Sequence, residues 1–267
     1  MPYAVVITND DGIDAGGIAN LVSNLKNVPG VQVYVVAPED EWSAKGHAIT
    51  IREPLYAQQV DRFEVPAWRI TGSPADCIKL ALNSLVPEPV DMVLAGINHG
   101  PNLATDVLYS GTVSAAIESA LGGVPAVALS LAGRDGNCQH FSTAGYFAEK
   151  LIPDLLTTQE QMDVLNVNVP DIPLDLVAGV KVTDLGSCPY DDIVEVERDE
   201  NGDLCYWLTV RTVEDAASDG TDLKAVANNF ISLTPLEFFE ITDCASVQSL
   251  KPLAEKMQKH LPLENPD

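Results

Sequence analysis

The sequence predicts an α/β fold built on a doubly wound, mostly parallel open sheet, followed by a C-terminal β-hairpin and helix. Three observations predict it. Short continuous apolar runs recur along the first two-thirds of the chain, as strands covered on both faces require. Each run is followed by turn residues and then by apolar residues at helical spacing. The last third changes character and carries an Asn-Gly pair between two strand-like runs.

The elements follow in order. Ala4-Val5-Val6-Ile7-Thr8 reads as the first strand, and Ile18, Leu21, Val22 and Leu25 mark a helix that Pro29-Gly30 stops. Val31 to Val36 is the next strand, ended by Ala37-Pro38. After a loop region, Ser73-Pro74-Ala75-Asp76 supplies an N-cap, a proline at the first helical position and the acid of a capping box. Asp91 to Ile97 is a strand, and Val113, Ala116, Ile117, Ala120 and Leu121 lie on a helix that Gly122-Gly123 closes. Ala126 to Ser130 is a strand, Thr143 to Leu156 a helix, and Leu165 to Val169 a strand. Such alternation pairs the strands in parallel, with helices on both faces. Ile193 to Arg198 and Leu204 to Val210 form the hairpin around Asn201-Gly202, Phe230 to Pro235 is a later strand, and a short helix starts near Pro252. The division expected is a core over 1–185 and an extension over 186–267, parts of which return to the core; the extension suits subunit contacts or arm exchange and equally a small edge sheet within one subunit.

Composition narrows the function. The chain has 267 residues, 46% of them hydrophobic, enough for a sizeable core. Fifteen Lys and Arg against 39 Asp and Glu give a formal charge of −24. With no basic cluster, duplex nucleic acid is an unsuitable partner, whereas a small phosphorylated molecule bridged by a metal is compatible. Five scattered cysteines without a Cys-x-x-Cys pair argue against a disulfide framework and a zinc site, and fit a reduced compartment. Met1 leads directly into a strand-like segment, so neither a signal peptide nor a membrane anchor is expected, and the cytoplasm is the default.

Four loops carry candidate chemistry. Thr8-Asn9-Asp10-Asp11-Gly12 ends the first strand; adjacent carboxylates there repel each other unless a hard cation intervenes, although N-capping and a turn acid would also account for them. Glu39-Asp40-Glu41-Trp42-Ser43 ends the second strand, where Ser43 offers a hydroxyl and Trp42 suits either a base pocket or the core edge. Gly96-Ile97-Asn98-His99-Gly100-Pro101-Asn102 supplies a neutral oxygen at Asn98; His99 is either a proton carrier or a loop histidine without a role. Tyr109-Ser110-Gly111-Thr112 opens a helix, and free N–H groups with two hydroxyls make a phosphate cradle there, or merely a cap. In an open α/β sheet these loops leave one edge, where ligands gather. Asp10, Asp11, Ser43 and Asn98 then form an oxygen-only set for a hard metal.

These segments resemble the signatures of the SurE family, the stationary-phase survival 5′/3′-nucleotidases. Gly72-Ser73-Pro74-Ala75-Asp76-Cys77, Leu165-Asn166-Val167-Asn168-Val169-Pro170 and Gly220-Thr221-Asp222 resemble it as well, in order along nearly the whole chain. The resemblance implies a Rossmann-like core and a phosphomonoesterase that hydrolyses nucleoside 5′- and 3′-monophosphates through metal-activated water. It implies one divalent ion per subunit, Mn²⁺ or Mg²⁺, at Asp10, Asp11, Ser43 and Asn98, with Asp10, Asp11 and Asn98 catalytic. Asn9, Asn102, Ser110, Gly111 and Thr112 are expected to contact phosphate or substrate. It further implies a homodimer or homotetramer formed by exchanged C-terminal segments, and activity on short polyphosphate. The chain departs from the family where Glu39, Asp40 and Glu41 replace basic residues, where Ala44 replaces a glycine, and where Gly16-Gly17 replaces Pro-Gly. The acids bear on substrate preference, above all for polyphosphate. Three other classes compete. A non-catalytic nucleotide-binding module predicts binding without phosphate release. A dehydrogenase lacks its Gly-x-Gly-x-x-Gly, and a serine hydrolase its Gly-x-Ser-x-Gly.

Overall fold

The structure, a computed structural model, describes residues 2–133, 137–158, 162–187, 190–212, 218–237 and 251. Apolar runs form the central strands: β1 (Tyr3–Thr8), β2 (Val31–Pro38), β5 (Met92–His99), β6 (Ala126–Ala132) and β7 (Val164–Pro170), each buried along most of its length. Two short strands, β3 (Ala57–Gln59) and β4 (Ala67–Ile70), lie in the stretch that the sequence pattern marks as a loop region. Neither is a continuous apolar run, and β3 is exposed throughout, so hydrophobic pattern did not mark it. The strand order is β3-β4-β2-β1-β5-β6-β7-β11-β8, with β8 at Gly179–Val182 and β11 at Phe230–Leu236. Its parallel part, β4-β2-β1-β5-β6-β7, has the 3-2-1-4-5-6 order of a doubly wound dinucleotide-type sheet. β11 runs antiparallel to β7 and parallel to β8, so the chain beyond residue 218 returns to the sheet.

Helices cover both faces. On one face, Ile18, Leu21, Val22 and Leu25 of α1 (Gly16–Leu25) and Ala144, Ala148 and Ile152 of α4 (Phe141–Thr157) pack on Val5, Ile7, Val33, Leu94 and Leu129. α2 (Pro74–Leu80) and α3 (Gly111–Leu121) pack together on the other. Ser73 and Asp76 close the expected capping box at α2, a device worth roughly 1 kcal/mol. A short α5 (Asp222–Ala227), capped by Thr221, precedes β11. Six residues are too few for helical periodicity to stand out.

Among the described residues, β9 (Tyr190–Arg198) and β10 (Leu204–Thr212) pair with each other alone, in a two-stranded sheet. Five residues, 199–203, join them instead of a two-residue Asn-Gly turn. Asp199 organises the loop, its Oδ1 accepting from the N–H groups of Asn201 and Asp203, while Gly202 takes the left-handed conformation. The helix expected near Pro252 lies outside the described residues.

Candidate active site at the switch point

β1 sends its connection to β2 on one side and pairs with β5 on the other, so a crevice opens at the carboxyl ends of these strands. Asp10 and Asp11 stand there, just past β1. Gly12, at φ 92°, turns the chain behind them, and Ile13 N–H then bonds the Pro38 carbonyl at the end of β2. Asn9 locks the turn by donating to the Gly12 carbonyl at 2.8 Å. The second loop is tied to the first: Trp42 N–H donates to the Asp10 carbonyl at 2.7 Å, which sets Ser43 one residue away from that bond. From β5, a register shift between Gly96 and Asn98 re-aims the strand end. His99 N–H then reaches Asp11 Oδ2 at 3.2 Å.

α3 meets these loops with its N-terminus. The Thr112 hydroxyl donates to Asp10 Oδ1 and lies 3.2 Å from Asn98 Oδ1, so Asp10, Asn98 and Thr112 form one cluster. Gly111 is pressed against Asp10; a Cβ there would lie 2.7 Å from the Asp10 Cβ. Ser110 caps the helix by accepting from Val113 N–H at 3.1 Å, which leaves its own proton for another acceptor.

The electrostatics are those of two acids lacking a counter-charge. Burial pushes the Asp10 carboxyl above the ordinary range, against the Thr112 hydroxyl and nearby N–H groups that lower it. Asp11 is pushed up to about 7, by burial first and then by the Asp10 charge; the His99 N–H lowers it, and Glu41 adds a smaller upward push. Among the described residues no cationic side chain offsets either carboxylate. Nor do three His, Cys, Asp or Glu converge anywhere among them, so a cation held here must also recruit neutral oxygens.

Asn102 sits differently from the other expected substrate contacts. It is buried, and its amide donates to Ser130 Oγ at 2.8 Å. Its backbone N–H donates to Asn168 Oδ1, and its carbonyl accepts from both Asn166 and Asn168. Two residues on, Ala104 N–H donates to buried Asp222 at 2.8 Å. The loop after β5 is therefore pinned from beneath by β6, β7 and α5. Sequence reasoning gave Asn166, Asn168 and Asp222 no role. The available signal was polar residues at alternate positions of a strand buried on both faces, which is costly unless each is paired.

Residues 5–192 match the family model described as Survival protein SurE. The chain belongs to the SurE family. It is similar to the protein named 5′-nucleotidase SurE from Thermosynechococcus vestitus, 41% identical over 269 residues, which cover 98% of this chain and 99% of that protein. The protein of the same name from a Synechococcus species is 43% identical over 251 residues, covering 92% and 96%. The crystal structure of the SurE protein from Aquifex aeolicus superposes with a TM-score of 0.80 at 34% identity, covering 94% of this chain and 99% of that one. All four site loops fall inside the span matched by the SurE model, whereas most of the hairpin and all of α5 and β11 lie beyond it. No helix among the described residues is long and apolar enough to cross a membrane.

Proposed function

We propose that this SurE-family chain is a divalent-cation-dependent phosphomonoesterase that hydrolyses nucleoside 5′- and 3′-monophosphates, using one Mn²⁺ or Mg²⁺ per subunit. The observation that carries the reading is the clustering of two uncompensated carboxylates with neutral oxygens at the start of α3. The name 5′-nucleotidase borne by relatives about 40% identical supports the substrate class.

The residues fit a hard cation. Among the described residues Asn9 Oδ1 is a buried acceptor without a partner, the Asp10 charge pushes the Asp11 carboxyl up, and Asp10, Asp11, Ser43 and Asn98 all offer oxygen. Asp10, Asp11, Ser43 and Asn98 would hold the ion. When bound, it supplies positive charge to the phosphoryl oxygens and makes water more acidic. The chain's own groups do the rest. Thr112 fixes the Asp10 carboxylate. The Gly111 and Thr112 N–H groups turn toward the Asp10 carboxylate, and the Ser110 hydroxyl at the start of α3 orients the phosphate. Asn102 holds the loop of Asn98 in place from beneath. Asp11, less buried than Asp10 and not engaged by Thr112, takes the proton of the attacking water.

The working form is a homodimer or homotetramer that meets through the hairpin, and its compartment is the cytoplasm, in keeping with free thiols at Cys77, Cys138 and Cys205. Short polyphosphate is a weaker substrate than AMP, because Glu39, Asp40 and Glu41 flank the site. Phosphate release from 5′-AMP and 3′-AMP, measured with Mn²⁺, with Mg²⁺ and with chelator, tests the proposal. Release that depends on the cation is expected. Saturable AMP binding with no release under any cation would replace it with the non-catalytic nucleotide-binding module.

A further inference from the structure

We propose that a second cavity on the same sheet edge, beyond the ends of β6 and β7, is the subsite that takes the nucleoside part of the substrate; this rests on the phosphatase reading above. The cavity has a volume of about 500 Å³ and is walled by Asn137, Gln139, His140, Asp171, Ile172 and Asn229. That volume is within the usual range for small-molecule sites. β6 ends at Ala132 and β7 at Pro170, so the cavity opens on the edge that carries Asp10 and Asn98. At ~4.8 Å per strand, β7 stands ~10 Å from β5 and ~14 Å from β1. That separation suits a ligand whose phosphate sits at one end and whose base sits at the other.

A continuous wall joins the two places. His99 N–H bonds Asp11, and His99 Nε2 accepts from Cys138 N–H at 3.0 Å. The next two N–H groups, of Gln139 and His140, donate to the Asp171 carboxylate at 3.1 and 2.7 Å. A substrate anchored at Asp10 and Asp11 can therefore lie along this wall and reach the cavity.

The lining identifies the ligand class. Among the described residues the cavity walls include no Lys or Arg. Three carboxamides, at Asn137, Gln139 and Asn229, each present a donor and an acceptor, which matches the mixed edge of a neutral nucleobase. Ile172 adds an apolar surface for the ring. His140 Nδ1 lies 3.0 Å from Asp171 Oδ1. A carboxylate only accepts, so Nδ1 carries the hydrogen, and Nε2 is the ring nitrogen left for a polar group of the ligand. With Asp171 held by two N–H groups, the imidazole is fixed before the ligand arrives, which lowers the entropy cost of binding.

Calorimetric titration of adenosine into the full-length chain in chelator tests the subsite directly. Saturable binding is expected, weakened at least tenfold by Gln139→Ala and by Asn229→Gly. Gln139 is exposed, and Asn229 has φ 63°, a conformation glycine adopts freely, so both variants should melt like the parent. In cation-loaded enzyme the ratio of kcat/KM for AMP to that for p-nitrophenyl phosphate should fall about tenfold in each variant. Absence of saturable adenosine binding to the parent, or unchanged binding in both variants, would overturn the subsite. Adenosine binding that depends on these residues in a chain that releases no phosphate from AMP would sink the phosphatase reading and leave the subsite standing.

Discussion

At the scale of single residues, Asp10 sets stability against function. Its carboxylate is 3% exposed and, among the described residues, meets a hydroxyl and backbone N–H groups but no cationic side chain, so without a metal its charge is poorly compensated. Asp10→Asn keeps the shape and removes the charge. Melting in chelator is therefore expected at the same or a higher temperature than the parent, while cation-dependent phosphate release falls at least a thousandfold. The parent should gain ~2.7 kcal/mol of stability at a hundredfold excess of Mn²⁺ over Kd, and the variant should gain almost none. A variant that Mn²⁺ stabilises as much as the parent would remove Asp10 from the ligand set. Gly111 is a steric case. Alanine normally favours a helix, but here its Cβ would sit 2.7 Å from the Asp10 Cβ and 2.8 Å from Oδ2. Urea titration of Gly111→Ala should show a loss of about 1–3 kcal/mol, the range for overpacked interiors, together with a fall in AMP hydrolysis. An unchanged midpoint would mean that α3 can withdraw from the carboxylate.

Among elements, the short α5 shows how a remote segment positions the site. Asp222 accepts from Gly186 and Leu223 N–H through Oδ1 and from Ala104 N–H through Oδ2. Asp222→Asn preserves the first oxygen and turns an NH₂ toward the Ala104 N–H, two donors facing each other. Denaturant unfolding should register a loss of about 1–3 kcal/mol for that buried N–H. The slope of the transition should not change, since the same surface is exposed. A neutral effect would mean that the loop after β5 does not depend on α5. The elements also show what the sequence makes legible. β1, β2, β5, β6 and β7 are covered on both faces, and only a continuous apolar run satisfies that, so each was visible in the sequence. β3, β8 and α5 are short, and β3 and β8 lie at the sheet edges, where fewer side chains are buried and the pattern fades. The turns bearing Asp10, Asp11, Asn98 and Ser110 were legible because turn chemistry is local. The Asn166–Asn168–Asn102 network was not, because its partners lie more than 60 residues apart in the chain.

For the whole molecule, the hairpin and the net charge act against each other. In the β9–β10 register, Val196 faces Tyr206, Val194 faces Leu208 and Arg198 faces Leu204. Alternation then places Val194, Val196, Leu204, Tyr206 and Leu208 on one face, and each is at least 50% exposed in the single chain. A two-stranded hairpin is marginal in water by itself, and an apolar face of this extent marks a contact surface. A second copy is the proposed occupant, but each copy carries a charge of −24, which opposes association. Screening over ~10 Å at 0.1 M salt and ~3 Å at 1 M reduces that repulsion and leaves apolar burial untouched. Light scattering on the full chain should therefore report a dimer or tetramer whose dissociation constant falls as salt rises. The double variant Val196→Glu, Tyr206→Glu adds charge to facing positions of the apolar side and should reduce the measured mass to one subunit, even in high salt. Since Asp10, Asp11, Asn98 and Thr112 all come from one chain, the separated subunits should still release phosphate from AMP. An unchanged mass would move the contact to another surface. A monomer without activity would mean that assembly also shapes the site.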